Sequence, residues 1–257
     1  MSEKLQLSND ELIDGKKKLA YRMFDKIAET YDLINLILSF GIDRYWRRFL
    51  LKHLPLPQGK GLSILDLATG TGEIAIALSR QHAKNVSKIT AVDLSAQMIG
   101  IAEKKYQRLL HHYQGQGKEL APIHFLVADG VTLQLKQEEL FDLVTIGFGI
   151  RNMYDPEKTL INCSQKIKKG GKILILELSV PQNSFFKKTF LCYFRYILPK
   201  LGGFISRDRA AYSYLNESVE VFPSGKNFAD LLQKSGFSNI KTYPLTFGIA
   251  NLYEGTR

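Results

Sequence analysis

Residues 61–180 alternate short apolar runs with segments of helical spacing. The runs are LSILDLA (62–68), SKITAVDLS (87–95), IHFLVADG (123–130), FDLVTIGFG (141–149) and GGKILILELS (170–179). Between them, EIAIALSRQ (73–81), AQMIGIAEKKYQRLL (96–110) and PEKTLINCSQKIK (156–168) read as helices. Pro156 suits a first helical turn. Strands that are apolar almost throughout need cover on both faces, and the intervening helices supply it. That combination dictates a parallel sheet with right-handed crossovers. A ligand then belongs beyond the carboxyl ends of the strands.

The flanks differ in character. Residues 1–60 read as an N-terminal helical cap ending at the breaker LPLPQGKG. Residues 181–237 are helical and aromatic, as in a lid over a substrate, and 238–257 close the same sheet with two strands. With 257 residues and 45% hydrophobic content, a large core is expected and disorder is not. No uncharged apolar run reaches the roughly 18 residues a spanning helix needs. The start, MSEKLQLSNDELIDGKKK, has no apolar h-region, so a cytoplasmic protein is expected. Cys163 and Cys192 lie far apart and suggest neither a disulfide framework nor a metal site.

The first strand runs into ILDLATGTGEIA. Gly70 and Gly72 allow a tight turn with close backbone approach, and the helix that follows aims free N–H groups at a ligand. Asp93 ends the second strand and suits a ribose diol, with Leu94 beside it. With Ala75 in the third small position, a dinucleotide site fits these features too. Two carboxylates decide otherwise. Asp66, inside the first strand, would repel a pyrophosphate but suits an amino group. Asp129, ending the third strand, can accept from an adenine amine. Three acidic strand positions around a glycine turn describe a site for S-adenosyl-L-methionine. The expected fold is therefore α/β, of the class I S-adenosylmethionine-dependent methyltransferase type: Rossmann-like, with a mostly parallel seven-stranded sheet, helices on both faces, an N-terminal helical extension and a helical lid.

Several stretches resemble the ubiquinone/menaquinone biosynthesis C-methyltransferases, from about Met23 to Tyr253. YDLINLILSFGIDRYW (31–46) is similar to that family's N-terminal signature through Tyr31, Asp32, Asn35, Ser39 and Trp46, with Asp43 where the family has His. QKIKKGGKILILELS (165–179) resembles a second signature, and GFGIRN (147–152) resembles Ser-Phe-Gly-Leu-Arg-Asn with Gly147 replacing Ser. The resemblance implies cofactor contacts at Thr71, Asp93, Asp129 with Gly130, and the backbone of Gly147. It also implies methyl transfer to a ring carbon of a polyprenyl quinol, with demethylmenaquinol favoured over a methoxybenzoquinol.

Arg151 and Asn152 follow the fourth strand on the side where the methyl donor belongs. A guanidinium there would hold a quinol oxygen as an anion, with Asn152 orienting it; pairing of Arg151 with a carboxylate such as Asp155 is the structural alternative. Tyr31, Asp32 and Asp43 are candidate proton acceptors. The histidines His53, His82, His111, His112 and His124 have no visible partner and read as structural. FFKKTFLCYFRYILPKLGGFISRDR (185–209) interleaves aromatic and basic residues, which suits peripheral contact with the inner face of the cytoplasmic membrane or a lid packed on the core. A net charge of +10 would also suit nucleic acid, but the basic residues are dispersed and no base-flipping motif is present, so no nucleic-acid partner is expected. Assembly as a homodimer stays open.

Overall fold

The computed structural model describes residues 24–55, 61–133, 135, 139–199 and 209–257. Parts of the expected helical cap and of the 185–209 segment fall outside these ranges. Seven strands form one sheet: β1 (Leu62–Leu67), β2 (Val86–Asp93), β3 (Ile123–Val127), β4 (Phe141–Gly147), β5 (Ile167–Leu178), β6 (Ser238–Leu245) and β7 (Ala250–Thr256). Their order is β3-β2-β1-β4-β5-β7-β6. The first five are parallel, and β7 runs antiparallel to both β5 and β6. The helices are α1 (Tyr31–Leu38), α2 (Ile42–Leu51), α3 (Glu73–Gln81), α4 (Ala96–Gln114), α5 (Pro156–Lys166), α6 (Ser184–Cys192), α7 (Arg209–Val221) and α8 (Lys226–Lys234).

Alternate residues of the central strands feed two cores. Ile64, Leu143 and Leu174 face a layer with Trp46, Leu50 and Leu78. Leu65, Val144 and Ile173 face the other, with Leu160, Cys163 and Phe228. That explains why the strands read as apolar on both faces. Cys163 is buried there, and burial pushes its thiol up to about 12, so it is an inert packing residue. Helix α8 contributes Phe228 and Leu232 to this second layer, so it covers the sheet. A third cluster joins the cap and lid regions, packing Ile34 and Leu38 of α1 against Phe190, Phe194 and Leu198.

Strand β5 begins at Ile167, inside the segment whose spacing predicts helix. Ile167 pairs with Phe141 and is fully buried, so burial in the sheet overrides the helical pattern. Gly170 takes φ +78 here, and a side chain at Gly171 would press on Ile167 and the Asp142 carbonyl, so the bulge requires both glycines.

Asp66 ties the centre of the sheet together. Its side chain is buried between strands, accepting from Thr145 Oγ1 of β4 and Thr69 Oγ1 of the following turn, each at 2.6 Å. Burial pushes its carboxyl up to about 6, against those two hydroxyls, which hold it down. The folded chain therefore binds this proton more tightly than the unfolded chain, whose carboxyl titrates near about 3.9. Through that window the group's contribution to stability falls as pH rises. Asp66→Asn should gain on wild type in urea unfolding between about pH 4 and pH 7 and level off above. A difference that stays constant with pH would contradict this account.

Candidate active site

The strand order reverses between β1 and β4, and both strands end beside the turn from Ala68 to Gly72. Gly70 and Gly72 take left-handed φ of +56 and +81, which a side chain would resist. Asp93 fastens this turn: one oxygen accepts from Gly70 N at 2.8 Å and the other from Ser95 N at 2.9 Å. Burial raises its carboxyl above the usual range. Asp129 accepts from Val131 N at 2.9 Å and from the Tyr154 hydroxyl at 3.2 Å. Tyr154 is itself pushed up to about 12, first by burial and then by Asp129.

These groups surround a cavity of about 100 Å³. Of the residues singled out in the sequence, Gly70, Asp93, Leu94, Asp129 and Gly130 line it. Gly147, Asn152 and Tyr31 complete it from β4, the turn beyond and α1. A side chain at Gly147 would press on the tip of Ile74, and one at Gly149 would collide with the Ala68 Cβ, so a bare Gly149 lets the β4 turn pass close to Ala68. Asn152 donates to the Phe148 carbonyl at 3.3 Å, while its Oδ1 is buried with no hydrogen-bond partner.

Three expected contacts lie elsewhere. Asp66 stands behind the turn, engaged by its two threonines. Gly72 turns the chain into α3 and packs near Ala102 and Ile76. Thr71 donates to Asp32 at 2.5 Å, and Lys105 bridges Asp32 and Glu73 at 2.6 Å each. Thr71 and Lys105 thus latch α1 over the glycine turn. A second latch joins Asp25 to the Ser95 hydroxyl. These latches bring Phe24 and Tyr31, in edge contact at 6.1 Å, onto the cavity.

Arg151 opens instead onto a second, larger cavity of about 300 Å³, which shares Tyr31 and Phe148 with the first. Its walls are mainly apolar: Trp46, Leu178, Phe186, Phe190 and Phe194 among others. Arg151 pairs with Glu177 of β5, with side-chain exposures of only 7% and 2%. Asp155 is occupied as the cap of α5, accepting from Lys158 N at 2.9 Å. The carboxylate partner is therefore Glu177, brought alongside by the β4–β5 pairing. Arg151 Nη1 also donates to the Phe148 carbonyl at 3.0 Å, and its Nε is buried without a partner. Of the candidate acceptors, Tyr31 and Asp43 line this cavity, whereas Asp32 is committed to its latch. No histidine lines either cavity among the described residues. His53 packs between Phe49 and Tyr243, tilted to both rings.

The first cavity fits a nucleoside carrying an amino acid: carboxylates at two strand ends, a bare backbone shelf, and an unpartnered amide oxygen. Among the described residues no cluster of His, Cys, Asp and Glu could hold a metal, and no helix is long and apolar enough to cross a membrane. The fold is shared with solved methyltransferases. The magnesium protoporphyrin IX methyltransferase of Synechocystis, solved with S-adenosylhomocysteine, superposes with TM-score 0.59 at 17% identity, covering 94% of this chain and 99% of its own. The ubiquinone/menaquinone biosynthesis C-methyltransferase UbiE of Syntrophotalea carbinolica is 40% identical, covering 91% of this chain and 92% of its own. The demethylmenaquinone methyltransferase of Chlorobaculum parvum is 36% identical, covering 96% of each. The family model for the ubiE/COQ5 methyltransferase family matches residues 13–257. The chain belongs to the ubiE/COQ5 methyltransferase family and is an S-adenosylmethionine-dependent C-methyltransferase.

Proposed function

We propose that this enzyme methylates a ring carbon of a polyprenylated quinol, converting demethylmenaquinol to menaquinol. The observation that carries the proposal is the apolar chamber abutting the smaller cavity, with Phe148 and Tyr31 common to both and a buried arginine in its wall. The names of the relatives support the naphthoquinol. A methoxybenzoquinol presents a similar reacting edge, and the quinones that accumulate in cells lacking the enzyme distinguish the two.

S-adenosylmethionine supplies an electrophilic methyl group on a sulfonium. In this reading Asp93 receives the ribose hydroxyls, Asp129 and Gly130 the adenine edge, and Gly70 and Gly147 offer bare backbone. Phe24 and Tyr31 close the cavity from above and keep water out. Arg151 acts on the acceptor. Its guanidinium cannot serve as a base at neutral pH, but it stabilises the phenolate and so enriches the neighbouring ring carbon. Glu177 fixes its direction. Asn152 anchors the same turn through Phe148. Arg151→Lys loses the planar fork, and kcat should fall by roughly 100-fold or more with little change in quinol KM. Near-normal turnover would remove the arginine from the chemistry.

Access of the polyprenyl substrate points to a bilayer contact through residues 185–209. In the described part of that segment Phe185 is 71% exposed, beside exposed Lys187 and Lys188. The segment does not act alone. Phe40 lines the chamber and Phe247 stacks on chamber-lining Phe186 at 4.0 Å, yet they are 75% and 68% exposed. Both take left-handed φ, +51 and +57, which a bulky residue adopts only at a cost. Two strained, exposed phenylalanines at the chamber's edge suit insertion into the interfacial region of a membrane. The double variant Phe40→Ser/Phe247→Ser should lose most sedimentation with phosphatidylglycerol vesicles while keeping its affinity for S-adenosylhomocysteine. Unchanged sedimentation would argue against this edge.

A further inference from the structure

The acceptor chamber contains a second polar station that the methyl-transfer reading leaves unused. Ser39, Asp43 and Arg47 all line it. Asp43 lies in the first turn of α2 and is 7% exposed. One carboxylate oxygen accepts from the Ser39 hydroxyl at 2.8 Å, and the other from the Arg47 guanidinium. Arg47 in turn lies over the Phe148 ring, 5.5 Å from its centroid.

The chamber's two ion pairs meet it differently. At Arg151 the cation lines the chamber, and its carboxylate, Glu177, stands behind the wall. At Asp43 both partners, the carboxylate and the Arg47 guanidinium, line the chamber, so a carboxylate is within reach of a ligand. A carboxylate offers about four acceptor positions. The protein fills one on each oxygen of Asp43, which leaves lone pairs for a ligand that brings a donor.

A quinol ring carries hydroxyls at opposite ends. One faces Arg151; the other keeps its proton and can donate. The oxidised ring has two carbonyls and no donor. At a nearly buried carboxylate, a carbonyl sets lone pairs against lone pairs and leaves the acceptor unpaired. A site built to receive a hydroxyl rejects the analogue without one for this reason. We propose that Asp43, held by Ser39 and Arg47, selects the reduced ring over the oxidised one. The inference rests on the quinol reading above. It gives the enzyme a means of avoiding occupation by quinone, which is itself an electrophile and cannot accept a methyl group from a sulfonium.

Trp46 reports on binding without turnover. It is the single tryptophan of the chain, lines the chamber, and donates to Thr246 at 2.8 Å. With the full chain saturated by S-adenosylhomocysteine, Trp46 fluorescence would be titrated with naphthohydroquinone and with naphthoquinone. Wild type should bind the reduced ring roughly 10- to 100-fold more tightly. In Asp43→Asn the amide can donate to a carbonyl, so quinone affinity should rise while quinol affinity falls, bringing the ratio near one. A merely structural role would weaken both together, and that outcome overturns the assignment. The wild-type protein gives a test that needs no variant: the dimethyl ether of the quinol, which like the quinone has no donor, should bind as poorly as the quinone. Undiminished affinity for the ether overturns the proposal. Equal wild-type affinity for quinol and quinone overturns the Asp43 assignment alone, and failure of both to perturb Trp46 overturns the substrate reading with it.

Discussion

The close passage of β4 past the glycine turn governs the site. Gly147 and Gly149 lack side chains where Ile74 and Ala68 already stand. Between them Phe148 is forced to φ +58, the left-handed region. Two consequences follow. Its ring turns into the larger chamber, against Trp46 at 6.0 Å and beneath Arg47. Its carbonyl collects hydrogen bonds from Arg151 and Asn152, which fixes both side chains. One strained residue thus divides the space into a polar cavity and an apolar one and sets the arginine between the sheet and the acceptor.

The cap completes both cavities. Its hold on the lid is apolar, through Ile34 and Leu38 against Phe190 and Phe194. Its hold on the cofactor turn is polar, through Asp25 with Ser95 and Asp32 with Thr71 and Lys105. Partly exposed ion pairs of the second kind contribute about 1 kcal/mol or less and weaken with salt. The contacts over the turn are therefore the ones that yield first when the smaller cavity must open, while cap and lid stay joined over the acceptor chamber.

Much of this was legible in the sequence. Strand positions followed from apolar runs, and Asp93 and Asp129 from their offsets after those runs, because a strand end fixes where the next few residues point. Partnerships across the sheet were not legible. Arg151 suggested Asp155, four residues away, since proximity in sequence is the only distance a sequence offers. The actual partner, Glu177, lies 26 residues on and arrives through the pairing of Gly147 with Leu176. Asp66 shows the same limit: its strand position was clear, but Thr145, which donates to one of its oxygens, belongs to β4. The latching role of Asp32 was hidden too, because Thr71 reaches it from the glycine turn and Lys105 from α4.

The two ion pairs in the acceptor chamber also show why burial there serves chemistry better than stability. Removing Arg151 and Glu177 from water costs several kcal/mol per ion, which their attraction only roughly offsets. Well-packed apolar residues would hold that corner of the fold as firmly. Fixed charges in an otherwise apolar chamber instead act on a ligand with little screening, and their orientation is set before the ligand arrives. A chamber of phenylalanines and leucines can admit a prenylated ring but cannot orient it. On the proposed roles, orientation comes from the few polar groups, and their signs matter: a cation where negative charge would develop, and a carboxylate where a hydroxyl would remain.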